Sequence, residues 1–478
     1  MTMVKELTII FCLAAVTASC IAQNVSYDKK LGAENAILVE QEMGIYKHDS
    51  LSQLINAVGK KLVSRLKNNP FEFKFFLADS PEPNAFALPG GFVYVTRGIL
   101  PLIQTEDELA GIMAHEIIHV TERHSVKQMK KGLIGGVLQI PGNLINTVTH
   151  TRIGNILNTP IAFTSQAFVA RYSRNHERDA DSYGIQLAAS AGYDPNALAT
   201  ALARLSKGVE LLTGKAEKKN YFSDHPFTPA RVTDIRKAAP KYKPVGSTRI
   251  ASSQETFRQT FDGLCFGPNP KQGIFTDSLF IHPDLGFSWI APSGWNSVNK
   301  PASVGSYSEK GDAFVVLSIA DTAKSVKEIG EYAKGKAEKS KDVIVLSAID
   351  TTINHNTAYL LRLKRADKKG EVFLELLWVE FEGNVFSLAG AYAPPHKTVA
   401  HNSLCSFRKS HDEELANVVQ YDLRVVQAEK NETLGQLSKR SDNRLNLGLM
   451  AVINDLDQKN PISENILVKI VRSRAYKP

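Results

Sequence analysis

The sequence is poor in cysteine, in long apolar runs and in charge of one sign. Four cysteines occur in 478 residues, and only Cys265 and Cys405 lie beyond residue 22. So few cysteines exclude a scaffold that is held together by several disulfides. One disulfide between these two residues and two free thiols are both left open, because an oxidising compartment would permit the pairing.

Two functional classes are disfavoured by the same scarcity. After the first 22 residues no stretch reaches the roughly 18 apolar residues that a membrane-spanning helix needs. The formal net charge of +8 is spread over the whole chain, without a block of Lys and Arg that is interleaved with aromatic residues. Nucleic acid is therefore not expected as a partner. The content of 43% hydrophobic and 22% charged residues is that of a globular protein.

The first 22 residues have the pattern of an export signal. Lys5 precedes a short apolar stretch from Leu7 to Val16, and small residues follow up to Ala22. Cleavage after Ala22 would release a soluble exported protein. Cleavage before Cys20 would instead leave an outer-membrane lipoprotein. We favour the soluble form, because the leucine that usually stands three residues before a lipidated cysteine is missing.

Two histidines and a glutamate lie on a predicted long helix that runs from Glu106 to Lys131. Because His115 and His119 are four residues apart, both imidazoles project from one face of this helix. That face can supply two of the nitrogen ligands that zinc takes. Glu116 points to a neighbouring face, where it can act on a water molecule rather than bind the metal. The helix is otherwise largely apolar, so three such polar groups within it indicate a functional site.

A catalytic zinc ion needs a third protein ligand and an open fourth position. In one group of zinc peptidases the third ligand is a histidine six residues after the second, but Ser125 occupies that position here. His124 lies one residue earlier and turns to a different face of the helix. We expect it to support a ligand histidine rather than to bind the metal.

The better candidate for the third ligand lies on a second predicted helix, from Arg171 to Ser190. Glu177 and Asp181 are four residues apart and share one face of that helix. Glu177 can reach the metal, and Asp181 can accept a hydrogen bond from a ligand histidine and so fix its tautomer. Taken alone, this pair is equally compatible with an exposed acidic helix face.

Four segments that occur together in one order carry a resemblance to a known family. They are Asn84 to Gly98, His115 to His124, Tyr172 to Gly184 and Ser223 to Arg231. With them, residues 30 to 240 resemble the soluble, exported branch of the HtpX/BepA-like zinc metallopeptidases.

The resemblance implies a mainly helical protease domain with a small sheet and one zinc ion per chain. His115, His119 and Glu177 would bind the zinc, and Asp181 would be the partner of a ligand histidine. Glu116 would act as general base and then as general acid. The element Ser-x-His-Pro…Arg of the family corresponds here to His225 and Arg231. Our own hypotheses are that His225 or Arg231 stabilises the oxyanion, and that His225 alternatively closes the fourth metal position and holds the enzyme latent.

Substrate recognition is predicted at the hairpin of the first segment. We expect a substrate to add as an extended strand beside Phe92, Val93, Tyr94, Val95 and Thr96, since an exposed sheet edge offers unpaired backbone groups. An ordinary structural hairpin is the alternative. The segment 132 to 170 is expected to gate the site.

The complete prediction is an α+β multidomain protein. Residues 1–22 form the signal peptide, 23–245 the zinc metallopeptidase domain, 250–412 an α/β accessory domain, and 418–478 a small βααβ unit similar to a degenerate LysM module. We expect a periplasmic endopeptidase that cuts misfolded or misassembled envelope proteins near the outer membrane. A chaperone or adaptor for outer-membrane protein assembly with little proteolysis, and a peptidoglycan-binding protein, are the alternatives.

Overall fold

The computed structural model describes residues 25–130, 172–213, 221, 225–226, 228–246, 248–320, 324–341, 343–365 and 371–478. The predicted signal peptide, the predicted gate at 132 to 170, and Ser223, Asp224 and Phe227 lie outside the described residues. The chain divides into two compact units. Unit 1 comprises Met1–Ile134, Ser165–Gly267 and Tyr421–Ser473, and unit 2 comprises Gly135–Thr164, Pro268–Gln420 and Arg474–Pro478.

Unit 1 is mainly helical up to residue 267. Residues 25–42 are helical. The elements that follow are α1 (Asp49–Val63), β1 (Lys74–Ala78), β2 (Ala85–Leu88), β3 (Phe92–Thr96), α2 (Glu106–Thr121), α3 (His124–Lys130), α4 (Arg174–Ser190), α5 (Ala197–Thr213), α6 (Pro229–Ala238), α7 (Gln254–Gln259) and β4 (Cys265–Phe266).

Helix α2 lies at the centre of this unit. It begins where the side chain of Thr105 accepts a hydrogen bond from the backbone N–H of Glu108, and acidic residues fill its first turn. Both features suit the partly positive end of a helix. Its side chains from Leu109 to Val120 are all buried, and they pack with α1, α4, α5 and the small sheet in one hydrophobic core. Helices that are buried on all faces, rather than along one stripe, are typical of a domain interior.

The long helix predicted from Glu106 to Lys131 is interrupted. α2 ends at Thr121, and Arg123 takes a left-handed backbone conformation with φ of 57°. Its guanidinium donates to both carboxylate oxygens of Asp28, at 2.5 and 2.8 Å. The chain then restarts as α3 at His124. The prediction of one continuous helix is wrong, because a hydrogen-bonded turn at Arg123 redirects the chain.

The small sheet has the strand order β1-β3-β2. β3 pairs in parallel with β1 and antiparallel with β2, so Phe92, Val93, Tyr94, Val95 and Thr96 have strand partners on both sides. The prediction that this strand offers an exposed edge is therefore wrong. β1 and β2 are the two outer strands of this sheet. β1 makes one isolated bridge, between Ala78 and Ile45, and β2 has no further strand partner among the described residues.

Unit 2 is rich in antiparallel strands. Its elements are β5 (Ile274–Thr276), β6 (Leu279–His282), β7 (Phe287–Ile290), β8 (Asn296–Lys300), β9 (Ser303–Tyr307), β10 (Ala313–Ile319), α8 (Val326–Lys339), β11 (Val343–Ile353), β12 (Asn356–Arg365), β13 (Phe373–Phe381), β14 (Asn384–Tyr392), α9 (Lys397–Leu404), β15 (Arg408–Lys409) and α10 (Asp412–Ala416).

Seven of these strands form one sheet in the order β11-β12-β13-β14-β10-β9-β8, and β15-β7-β6-β5 form a second. α8 packs on one face of the larger sheet around Trp378 and Tyr359. The described pairs in both sheets are antiparallel. This arrangement is that of an α+β domain, and it corrects the expected α/β layout, in which the strands would be parallel. A helical region followed by a sheet-rich region is confirmed.

The chain then returns with β16 (Val419–Gln427), α11 (Leu434–Arg440), α12 (Leu447–Asn454) and β17 (Leu467–Ala475). The strands order as β17-β16-β4. Within unit 1 the fully buried Lys469 donates from Nζ to the carbonyl oxygens of Pro101 and Ile103, at 2.6 and 2.8 Å. The predicted domain boundaries and the LysM-like character of residues 418–478 stay predictions.

Two further expectations bear on the described residues. Cys265 and Cys405 are both free thiols, so the disulfide that the sequence left open is not formed. No helix in the described ranges is both long and apolar enough to span a membrane.

We predict that Gly91→Ala destabilises unit 1. Gly91 has φ of 112°, and a Cβ there would meet the carbonyl oxygen of Glu72. Backbone strain and overpacking together should lower the free energy of unfolding by about 2 kcal/mol or more. Gly435→Ala, in α11 of the same unit, adds a methyl group in ordinary contact and is expected to be neutral or slightly stabilising.

Circular dichroism during chemical denaturation would follow the helical unit 1. Tryptophan fluorescence reports unit 2, because all three tryptophans lie there, at 289, 295 and 378. Equal unfolding midpoints for the two alanine variants would contradict the prediction.

Candidate zinc centre

Helices α2 and α4 approach each other closely at the candidate site. A Cβ on Gly184 would lie only 3.2 Å from the backbone N and Cα of His115. A Cβ rarely lies so close to another atom. The absence of a Cβ on Gly184 therefore permits this close approach of the two helices. The contact brings the one carboxylate-bearing face of α4 against the face of α2 that carries the two histidines. Glu177 and Asp181, both buried, point toward His115.

Four buried side chains converge between these helices: His115, His119, Glu177 and His225. His115 Nε2 lies 3.0 Å from His119 Nε2 and 3.3 Å from His225 Nδ1. Carboxylate oxygens of Glu177 lie 3.1 Å from His225 Nδ1 and 3.5 Å from His119 Nε2. Donor atoms at the corners of a tetrahedral zinc site are about 3.3 Å apart, given zinc–ligand bonds of about 2.0–2.1 Å. Four of the six donor pairs thus have about the spacing that one tetrahedral zinc ion requires, and all four donor atoms lie within 4.8 Å of one another.

One guanidinium holds the two buried carboxylates of α4, those of Glu177 and Asp181. Arg231, on α6, donates from Nε and Nη2 to the two oxygens of Asp181, at 2.8 and 2.7 Å, and its Nη1 lies 2.6 Å from Glu177 Oε2. Burial would raise the pKa of both carboxyl groups. The pKa of Glu177 is nevertheless well below its ordinary value because of His225 and Arg231, and that of Asp181 is lowered by Arg231 and His115. Both carboxylates are therefore ionised, as metal ligation and its support require.

His115 is oriented through its other ring nitrogen. Its Nδ1 lies 3.1 Å from Asp181 Oδ1, which leaves Nε2 directed at the cluster. Burial lowers the pKa of His115, but Asp181 and Glu177 outweigh this effect and raise it to about 9. The surroundings of His115 thus favour positive charge, and a metal cation satisfies the same demand.

His119 is oriented by a second histidine. The turn at Arg123 brings His124 Nδ1 to 2.9 Å from His119 Nδ1. Burial, and then the nearby His176, lower the pKa of His124 to about 3. A neutral His124 can accept the Nδ1–H of His119, which frees His119 Nε2 to bind the metal. Tyr172 stacks on the ring of His119 with centroids 3.7 Å apart.

Glu116 lies beside the cluster but outside its tetrahedron. Its Oε1 is 3.4 Å from His225 Nε2, while His225 Nδ1 faces the cluster. The ring of Tyr221 stacks on His225 with centroids 4.5 Å apart. The carboxylate of Glu116 is fully buried and stands where a general base acting on a water molecule at the metal would be needed.

The structure places the predicted residues in three groups. His115, His119, Glu177 and His225 form the cluster, and Asp181, His124 and Arg231 contact it. The donors of Arg231 are directed at Asp181, Glu177 and the carbonyl oxygen of Pro226, so its predicted contact with an oxyanion stays a prediction. Phe92 to Thr96 belong to the central strand of the sheet and not to the cluster.

Sequence reasoning gave no role to the two stacked tyrosines. Tyr172 was part of the segment that opens α4, and its ring supports His119, while its hydroxyl lies 2.8 Å from Ser125 Oγ. Tyr221 precedes His225 by four residues and supports its ring. A tyrosine four residues from a candidate ligand is a weak signal, because helix-like spacing outside a predicted helix has no defined geometry.

Two imidazoles and a carboxylate in tetrahedral spacing, with a glutamate adjacent to the first histidine, define a zinc metallopeptidase site. Residues 49–239 match the model of peptidase family M48. The chain therefore carries an M48 peptidase domain, and the resemblance and the single zinc ion expected from the sequence are confirmed.

The chain is also similar to proteins that are named as proteases or metallopeptidases. The chain is 30% identical over 211 residues to the beta-barrel assembly-enhancing protease of Escherichia coli (strain K12). The aligned residues cover 43% of this chain and 42% of that protein. It is 30% identical to a mitochondrial metalloendopeptidase of Schizosaccharomyces pombe, over 39% of this chain and 52% of that protein. It is 25% identical to the metalloprotease LoiP of Escherichia coli (strain K12), over 39% of this chain and 68% of that protein.

The chain thus spans less than half of the length of the beta-barrel assembly-enhancing protease that it matches. Among solved structures, the solution structure of cyanobacterial PsbP (CyanoP) from Synechocystis has a TM-score of 0.23 and 12% identity, over 29% of this chain and 95% of that one. A likeness at this level carries no argument.

We predict that Glu177→Gln weakens zinc binding. The substitution replaces an ionised ligand by a neutral amide and leaves Arg231 with one carboxylate fewer. Loss of a supporting partner of a ligand typically costs 10- to 100-fold in metal affinity, so loss of the ligand itself should cost roughly 100-fold or more. Competition with a chromophoric chelator measures the affinity.

Asp179→Asn is the matched control. Asp179 is an exposed carboxylate two residues along the same helix, so its removal changes the charge equally without touching the cluster. Equal zinc affinities in the two variants would exclude Glu177 as a ligand.

Proposed function

We propose that the chain is a zinc endopeptidase in which His115, His119 and Glu177 hold the metal. The observation that carries this proposal is the tetrahedral spacing of the buried donor atoms, with the Glu116 carboxylate beside them. A structural zinc site would need no adjacent buried base. The family of residues 49–239 supports the same activity.

The chemistry at this centre divides between the metal and the chain. Zinc, when bound, lowers the pKa of a water molecule toward neutrality and polarises the carbonyl of the scissile peptide. Glu116 accepts a proton from the attacking water at its carboxylate and passes it to the leaving amine. Asp181 and His124 hold the two ligand imidazoles in the tautomers that the metal needs. Arg231 holds the carboxylates of α4.

Glu116→Gln should abolish hydrolysis while zinc stays bound. The amide cannot accept the proton, and general-base catalysis typically contributes 10²- to 10⁴-fold in rate. Hydrolysis of fluorescently labelled unfolded casein, with metal content measured on the same sample, tests this expectation. Glu122→Gln, at the end of the same helix, is the control and should retain full activity.

Undiminished hydrolysis by Glu116→Gln would refute its role as base. If neither the unaltered chain nor its His225→Ala variant hydrolyses casein when loaded with zinc, the chaperone or adaptor alternative replaces the enzyme.

An extended substrate segment is proposed to pair along β2. The backbone N–H of Thr96 donates to the carbonyl oxygen of Asn84, so hydrogen-bonded pairs recur at every second residue of the β2–β3 ladder. The backbone groups of Ala85 and Ala87 then point to the edge that has no described strand partner. Their side chains pack in the same core as Met113 of α2. A strand added there would be recognised through its backbone hydrogen bonds and not through its side chains. Such recognition suits unfolded segments of varied sequence.

His225 is proposed to be a latch. Its Nδ1 stands at the fourth corner of the tetrahedron, the position that a catalytic zinc site keeps open for water and substrate. The arrangement described here is then latent, and activity requires His225 to leave the metal. The residue is well placed for this, since it lies in the turn before α6 and not on a helix of the cluster.

The latch hypothesis predicts that His225→Ala raises casein hydrolysis severalfold and lowers zinc affinity. An open coordination position gives substrate access, whereas the loss of a ligand weakens metal binding. Initial rates at saturating zinc measure the first effect. The double variant Glu116→Gln, His225→Ala should be inactive, which would assign the released activity to this site. If His225→Ala lowers activity under every condition, His225 stabilises the transition state instead.

Three less specific arguments bear on the proposed cellular role. The N-terminal pattern is that of an export signal, a relative is named for beta-barrel assembly, and edge pairing favours extended chains. We infer a periplasmic enzyme that removes misfolded or misassembled envelope proteins. Lipidation at Cys20 is the alternative for its location. Peptidoglycan binding by residues 418–478 is the remaining alternative, and a pull-down of the full chain with purified peptidoglycan distinguishes it.

A further inference from the structure

A second polar cavity lies in unit 1, apart from the zinc cluster. It has a volume of about 530 Å³, within the range of roughly 300–1,000 Å³ that is usual for ligand sites. Its walls come from the start of α2, from α5 and α7, and from the returning C-terminal segment around Asp455 and Ile466. None of the zinc-cluster residues lines it.

Two arginines in this cavity have unused donors. Arg204 is 6% exposed and gives Nη1 to Glu108, at 2.6 Å, but its buried Nε has no hydrogen-bond partner among the described residues. Arg258 gives Nη1 to the carbonyl oxygen of Leu467, and its buried Nε likewise has no described partner. The Nε–Nη2 edge of Arg258 is the fork that binds a carboxylate through two parallel hydrogen bonds.

The charges that line the cavity leave one arginine without an ion-pair partner among the described residues. Arg204 pairs with Glu108 and Arg249 with Asp107, whereas Arg258 makes no ion pair with a described residue. The fully buried Lys469 does not itself line the cavity. Burial, and then Arg204 and Arg258, lower the pKa of Lys469 well below its ordinary value. An anion between the two arginines would offset this repulsion.

The remaining lining restricts the kind of anion. Asp194 and Asp455 line the rest of the cavity together with Asp107, which is paired with Arg249, so a dianion such as phosphate is repelled more than a single carboxylate. Gln104 Oε1 is buried without a described partner and can accept an N–H, and Leu456 and Ile466 add apolar wall. A carboxylate that carries a neighbouring amide N–H and an apolar side chain fits these groups.

We propose that this cavity binds the C-terminal residue of a polypeptide, with its carboxylate on Arg258 and Arg204. The side chain of that residue lies against Leu456 and Ile466, and its backbone N–H is directed at Gln104. The site thus captures a chain end away from the zinc centre.

Isothermal titration calorimetry on the zinc-loaded full chain carrying Glu116→Gln, which should not cleave the probe, tests the proposal. The probes are an N-acetylated pentapeptide ending in leucine with a free carboxylate, the same peptide with a C-terminal amide, acetate and inorganic phosphate. The free acid should bind saturably and at least tenfold more tightly than the amide, because a charge-assisted fork is lost with the carboxylate. This comparison needs no change at the cavity itself.

Variants then locate the binding. Arg258→Gln should weaken the free acid roughly tenfold or more, whereas Arg440→Gln should not. Arg440 lies in the same C-terminal segment, pairs with Glu432 and does not line the cavity. Circular dichroism verifies that each variant is folded.

Equal binding of acid and amide, or no binding, would overturn the proposal. So would a free acid that binds Arg258→Gln undiminished, since it would then occupy the metal centre. Acetate that binds as tightly as the peptide, or phosphate that binds more tightly, would assign the cavity to a small anion instead.

Discussion

The architecture of the zinc centre depends on the burial of two carboxylates beside one guanidinium. Glu177 and Asp181 lie in the interior of unit 1, where an isolated ionised carboxylate would be strongly disfavoured. Arg231 binds both, and His115 and His225 complete their surroundings. Removing one member leaves the others as uncompensated buried charges. The helices α2, α4 and α6 are therefore tied to one another by electrostatics as much as by packing.

The local part of this arrangement could be predicted from the sequence. Spacing of four residues places His115 with His119 and Glu177 with Asp181 on common helix faces, and these relations need no tertiary information. The hairpin of β2 and β3 could also be predicted, because Pro89, Gly90 and Gly91 between the two strands are typical turn residues. The sequence predicted a zinc site on these helix faces. The observed cluster of donor atoms and the match to peptidase family M48 agree with that prediction.

What could not be predicted depends on contacts between distant residues. The helix break at Arg123 rests on Asp28, some ninety residues earlier in the chain, and so periodicity alone gave one continuous helix. The central position of Phe92 to Thr96 depends on a parallel partner, β1, which no turn signal announces. The pairing of Arg231 with Asp181 joins α6 to α4 across 50 residues of the chain. Alternation of short strands likewise did not reveal that the strands of unit 2 run antiparallel.

The buried Lys469 has a consequence for how the protein is made. Its ammonium group satisfies the carbonyl oxygens of Pro101 and Ile103, which stand directly before the helix of the zinc ligands. A chain is synthesised from its N-terminus, so these two carbonyl oxygens have no Lys469 partner until a further 366 to 368 residues have been made. The segment that leads into α2 is thus completed by a residue from a distant part of the chain, one that lies outside the zinc cluster.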